Sequence, residues 1–533
     1  MIASAAVPGP ARVAAIRSFI RRRRRRPWYD WYSTGFAVVL AVILLWDLLA
    51  QPFGRLAGPD GTSGVAGADP AQAVAGAALV IGAAAGLLVL AQALGPLALS
   101  PADAAWLLLT PLDRREVLRR PAAVTAAIAV AAGAVLGVLA LAMAGPFLRL
   151  PAGAGAHRVP WAWLVLSAAG GAGFFAAAML AGVLAQPRPR WRARLRATGA
   201  AVGVVATVGA VAGERWTVVS RAVTDRFAGL TTGSFGLIAV VAVAAACTAA
   251  LLVRRMLPHF PAGVVRAGSA RTGTVLLAAA FLNVPLLTWI AEDSHWRGRR
   301  LHSRPWPRLA AVAPRLRPAF VLAWADWRRL GRRPAVLAAL AVSTVAPALA
   351  GAAFTGRAHG WVTAATLLAG AVAAGTQGTA AIRRDSNDPA LQRLLGVDAG
   401  TALVARAALP ALLSAAWLTI ALALLASTGE LPGSLWPVLG LAAGPGAAAA
   451  ALRIARTAPV NPADQGPDTP LTAPPWLMTR AGSVLLGVAG TWPTLRAVYA
   501  GHVDASTFGA QVAVAVVVLG GYLVLAAGTL TGR

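Results

Sequence analysis

Runs of about twenty apolar residues, separated by short arginine-bearing stretches, recur along most of the chain. At a rise of about 1.5 Å per residue, a helix of that length crosses roughly 30 Å of hydrocarbon. In the first half the segments of this kind are 34–51, 72–96, 121–145, 160–185, 198–213 and 234–253. In the second they are 334–354, 361–382, 402–427, 435–452, 481–498 and 508–530. With 58% hydrophobic and 13% charged residues in 533, the chain has more apolar surface than a soluble fold of this length can bury. The expectation is an all-α, polytopic membrane protein of about twelve transmembrane helices.

The charge is arranged by loop. Lysine is absent, so all 48 basic side chains are arginine. A P-loop lysine and a Schiff-base lysine are therefore both missing, which excludes an ATPase or a pyridoxal enzyme within this chain. Threading the spans from a cytoplasmic N-terminus puts 40 arginines inside and 8 outside, as the positive-inside rule requires. This predicts a multi-pass protein of the bacterial plasma membrane with both termini cytoplasmic. The net charge of +29 then reads as topology rather than as a nucleic-acid surface. Residues 1–33 form an arginine-rich cytoplasmic or interfacial segment, with Arg21 to Arg26 suited to anionic lipid of the inner leaflet. A linker over 254–333 separates the halves 34–253 and 334–533, and its apolar stretch Thr274 to Ile290 is expected to be an interfacial or buried helix. The six histidines lack metal spacing and Cys247 lies in an apolar run, where a small buried residue is expected. No catalytic, cofactor or metal residues are expected.

The two halves share features. Trp28-Tyr29-Asp30-Trp31 precedes the first span and Trp324-Ala325-Asp326-Trp327 the seventh. At an offset of 285, Gln92 aligns with Gln377, Asp103 with Asp388, Asp113 with Asp398 and Leu118 with Leu403. An even number of spans per half makes these parallel six-helix repeats, a pseudo-dimer in one chain.

Between spans 2 and 3, Ser100-Pro101 and Thr110-Pro111 each have the form of an N-cap followed by proline at the first helical position. A short helix containing Asp103 and Trp106 is expected there, and Asp398 is expected to cap span 9. Leu108-Leu109-Thr110-Pro111-Leu112-Asp113-Arg114-Arg115 resembles the loop element of type 2 ABC exporter permeases. The doubled arrangement resembles a duplicated family of ABC-exporter-like membrane proteins from high-GC, actinobacterial-type bacteria. That resemblance implies short cytoplasmic coupling helices that receive a separate ABC ATPase, and an exported substrate it does not specify. Carried over, the docking candidates are Asp103, Trp106, Pro111, Arg114, Arg115 and Glu116 in the first half, with Asp388, Arg393 and Asp398 in the second. The second half departs from the pattern, with Gly396, Ala399 and Gly400 where Pro111, Arg114 and Arg115 stand.

The span interiors hold little charge; Asp47, Arg406 and Arg496 lie near span ends, and Gln92 and Gln377 read as interhelical hydrogen-bonding groups. This favours transport energised from outside the chain. A proton-coupled six-plus-six carrier and a non-transporting membrane scaffold are the alternatives.

Overall fold

The computed structural model describes residues 70–99, 103–104, 107–108, 113–144, 161–215, 232–269, 313, 317–354, 357–387, 396–457 and 475–531. The N-terminal segment with the first expected span, the first W-x-D-W element, Thr274 to Ile290, Trp106, Pro111, Asp388 and Arg393 lie outside them. Among the described residues every regular element is helical. Among the described residues, eight helices are long and apolar enough to cross a membrane, or nine if a bent pair counts as one span. The chain divides into two compact units, Met1–Leu276 and Leu277–Arg533.

The first unit contains α1 (Pro70–Leu94), α2 (Arg114–Ala144), α3 (Trp161–Ala185), α4 (Pro189–Arg215) and α5 (Thr232–Met256). A 3-10 turn over Leu257–His259 and helical turns over 262–269 follow. α3 packs against α2 on one side and α5 on the other, while α1 lies along α4 and also touches α2. The α2–α3 crossing is backbone on backbone: a Cβ on Gly171 would stand 2.3 Å from the Gly133 carbonyl oxygen. Lipid does not drive apolar side chains together, so such close approach supplies the dispersion contacts that hold membrane helices.

The second unit begins with α6 (Arg317–Gly331), α7 (Pro334–Ser343) and α8 (Ala346–Ala353). A turn at Thr344 and Val345, just before Pro347, divides the expected span 334–354, which still stands as one of the eight over Pro334–Ala353. α9 (Arg357–Gln377) and α10 (Ala380–Asn387) meet at a bend of 65°, which breaks the expected span 361–382. Gly378 at that bend packs on Pro410, and a Cβ there would lie 2.9 Å from the Pro410 nitrogen. α11 (Ala399–Ser427), α12 (Trp436–Arg456), α13 (Pro475–Ala500) and α14 (Ala505–Thr531) complete the unit. α12 is its centre, packed against α9, α11, α13 and α14 and buried over 67% of its span, against 17% for α14. α14 is preceded by Asp504, whose carboxyl is lowered to about 2 by the Thr507 hydroxyl, the Thr507 amide and the Ser506 hydroxyl. The cap therefore stays ionised at neutral pH.

Two expected spans, 198–213 and 481–498, fall within α4 and α13, which are not among the eight. Cys247 is exposed on α5, which corrects the expectation of a buried residue. Its neighbours Val240, Val241, Leu251 and Leu252 are exposed as well, because an apolar run that faces lipid need not face protein. Exposed aliphatic stripes of this kind, repeated on α14 by Val516, Val517, Val524 and Leu525, are what a hydrocarbon solvent accommodates.

The tightest crossing provides a test. A Cβ on Gly444 of α12 would stand 2.3 Å from the Ala415 Cα, whereas one on Gly86 of α1 meets nothing within 4 Å. Gly444→Val should lower unfolding free energy by about 1–3 kcal/mol or more through overpacking, and Gly86→Ala should be neutral or stabilising by about 1 kcal/mol. Thermal unfolding of the detergent-solubilised protein, read by fluorescence-detected gel filtration, measures both.

Candidate functional site: the loop between α1 and α2

α1 ends at Gly95, whose φ of +92° and amide bond to the Ala91 carbonyl close the helix in the left-handed region. The chain then enters a small core beneath the loop. Leu97, Leu99, Ala104, Leu107 and Leu108 pack there with Val117 and Leu118 of α2, Leu180 and Val183 of α3, and Val253, Leu257, Phe260 and Val265. One end of the first unit is thereby roofed by the loop, the α3–α4 turn and residues 257–269.

The backbone of this roof is tied to three elements. The Thr125 hydroxyl donates to the Pro96 carbonyl at 2.8 Å. Gln186, the residue after α3, accepts from the Leu97 amide at 3.0 Å and donates to the Leu97 carbonyl at 3.1 Å. The Leu99 amide donates to the Ser269 hydroxyl at 2.8 Å. Leu97, Gln186 and Ser269 are all at most 1% exposed, so the ties to Gln186 and Ser269 satisfy groups that water does not reach.

The docking candidates separate into distinct roles. Asp103 starts a helical turn, its carbonyl accepting from the Leu107 amide, and is half-buried. α2 begins at Arg114, and Asp113 caps it by accepting from the Arg115 amide at 3.0 Å. The capping residue of α2 is thus Asp113, which stands just outside the helix, while the expected cap Thr110 lies outside the described residues. Arg114 turns one Nη toward the Phe260 carbonyl at 3.2 Å and so helps fasten the roof. Arg115 is exposed and Glu116 half-buried beside it, which leaves this pair available to a partner.

In the second unit, Asp398 caps α11 by accepting from the Thr401 amide at 3.0 Å, as expected. Gly396 has a φ of +62°, the conformation of a chain reversal before the cap. Arg406 is 7% exposed within α11 and pairs with Asp385 of α10 at 2.6 Å, so this half ties its bent segment with charge. α6 lies against α11 with Leu322, Asp326 and Leu330 buried, while Trp324 and Trp327 remain accessible. Asp326, Arg329, Arg333, Gln377, Gly378 and Leu409 line an open cleft there, which brings the two sequence markers Asp326 and Gln377 together. Gln92 of the first unit is 6% exposed, and its amide fills the groove left by Gly182 of α3.

Sequence reasoning missed Gln186, Ser269 and the Asp385–Arg406 pair. The only signal for Gln186 was a polar residue between an apolar run and Pro187. Nothing in the spacing of Asp385 and Arg406, which belong to different helices, foretold their meeting.

A bundle of lipid-facing helices with a fastened polar roof defines a multi-pass, all-helical membrane protein. The chain belongs to DUF6297, a family of unknown function, whose model matches residues 68–462. No curated protein and no solved structure matches it.

The Asp385–Arg406 pair makes a prediction. Arg406→Leu leaves the half-buried Asp385 carboxylate without its partner and should cost about 1–3 kcal/mol of stability. The double change Asp385→Leu with Arg406→Leu should recover most of that loss. Thermal unfolding of the three proteins in one detergent decides it.

Proposed function

We propose that this protein is the membrane-spanning permease subunit of an ABC-type export complex, energised by a separate ATPase that docks on the α1–α2 loop. The observation that supports this most directly is the fastening of that loop. The apolar residues beneath it and its ties to Gln186 and Ser269 are buried, while Arg115 at the start of α2 is exposed. A loop that receives force from a partner needs this combination, since a floppy connector would absorb the partner's motion. The absence of lysine from the chain supports a partner-supplied nucleotide site.

We further propose that the halves are parallel repeats, each contributing one such loop. α2 and α11 each begin one residue after a capping aspartate, Asp113 and Asp398, and these are 285 positions apart. In the first unit α3 packs on α2 and α5, and α1 on α4; in the second α12 packs on α11 and α14, and α9 on α13. The family match from 68 to 462 includes both capped helices, which supports treating the doubled form as the family's unit. The six-plus-six count and the cytoplasmic placement of both loops belong to the same proposal. The loops are unequal, with Ala399 and Gly400 where Arg114 and Arg115 stand, so the ATPase is expected to engage the first loop more strongly.

The protein purified from its native membranes in mild detergent should bring with it a P-loop ATPase, identified by mass spectrometry. Replacing Arg115 with Glu and Glu116 with Arg should reduce that recovery by about tenfold, the size of effect a charge reversal at a docking contact produces. Recovery of no ATPase with the wild-type protein overturns the proposal.

A further inference from the structure

Among the described residues of the roof, the side chain of Gln186 pairs with both backbone polar groups of a single loop residue, Leu97. Its amide plane takes the place that a neighbouring strand would have. Gln186 follows the last residue of α3 directly, and its own amide donates to the Val183 carbonyl, so its backbone continues that helix's final turn. The site is closed around this contact. A Cβ on Gly95 would lie 2.9 Å from the Gln186 Nε2 and 3.2 Å from the Gly268 Cα, so the loop can reach its position only with glycine there. The other ties run from Thr125 within α2 and from Ser269 beyond α5. Among them, the Gln186 amide joins the loop to α3, which itself packs along both α2 and α5.

We infer that Gln186 is a positioning residue: it makes residues 95–99 move as one body with the end of α3, so that displacement of the loop is delivered to the helix at the centre of the unit. The direction of that delivery, from an ATPase inward, rests on the docking reading; the mechanical join does not. An isolated hydrogen-bonded loop would open by itself, exchanging its amides while the helices stayed closed. A loop joined through Gln186 opens only with the last turn of α3.

Amide hydrogen exchange on the full-length protein in lipid nanodiscs tests the join. In the wild type, the amides of Leu97 and Leu99 should exchange within about threefold of those in residues 180–185, as one opening event requires. Gln186→Met keeps the length and apolar packing of the side chain and removes both hydrogen bonds. It should raise exchange of 95–99 by about tenfold or more while 180–185 stay within about threefold of wild type. Gln186→Glu retains an acceptor for the Leu97 amide and loses the donor to its carbonyl, and should give a smaller rise; it also serves if the Met variant fails to fold. Unchanged loop exchange in the variants overturns the inference, and so does a parallel rise in loop and α3, which marks general loosening. ATPase recovery is read on the same samples. If the wild type recovers no ATPase, the docking reading fails while the exchange result still decides the role of Gln186.

Discussion

Close approach of helix backbones at small residues is the interaction on which the rest of this structure depends. In hydrocarbon, leucine and valine gain little by leaving the solvent, so α5 and α14 can present aliphatic stripes outward without penalty. What holds the bundles is contact between backbones, where Gly171 meets Gly133 and Gly137 in one unit and Gly444 meets Ala415 in the other. Such crossings tolerate no added side chain. They also place the helix ends accurately, and the polar roof of the first unit stands on those ends.

That roof solves a problem the lipid does not. At the ends of spans the backbone leaves its helical bonds, and each freed amide or carbonyl must find a partner. Around Leu97 the partners are side chains from three separate elements, whereas α10 is tied to α11 by the Asp385–Arg406 side-chain pair. A neutral network fastens one half and a charged one the other. The sequence of the halves differs as well, with Arg114 and Arg115 at the start of α2 and Ala399 and Gly400 at the start of α11.

The class of fold was legible in the apolar runs, and the cap at Asp398 was visible because capping needs only local sequence. The cap of α2 at Asp113 was not, since serine, threonine and aspartate compete for that role and spacing alone does not choose between them. Breaks within spans were less legible: Pro347 and Gly378 interrupt helices, yet Pro121, Pro410, Pro445 and Pro493 sit inside continuous ones. The fate of a proline depends on whether neighbouring helices satisfy the freed carbonyl, which is tertiary information. The W-x-D-W element served as a repeat marker in sequence; in α6 its aspartate turns inward and its tryptophans remain accessible, as for an amphipathic helix at a membrane surface. Gln186 and Arg406 were illegible for one reason, that their partners lie 89 and 21 positions away on other elements.

The account's central claim is that the fastened α1–α2 loop faces the cytoplasm, where a nucleotide-driven partner can reach it. Single-cysteine labelling tests this directly, in a background with Cys247 replaced by serine. Cysteine in place of Asp103, in the loop, and of Glu430, in the turn between α11 and α12, should react from opposite sides of the membrane. In intact cells a membrane-impermeant maleimide should label position 430 and spare position 103 until the membrane is opened. Labelling of position 103 in intact cells, or of both positions from one side, would contradict the account.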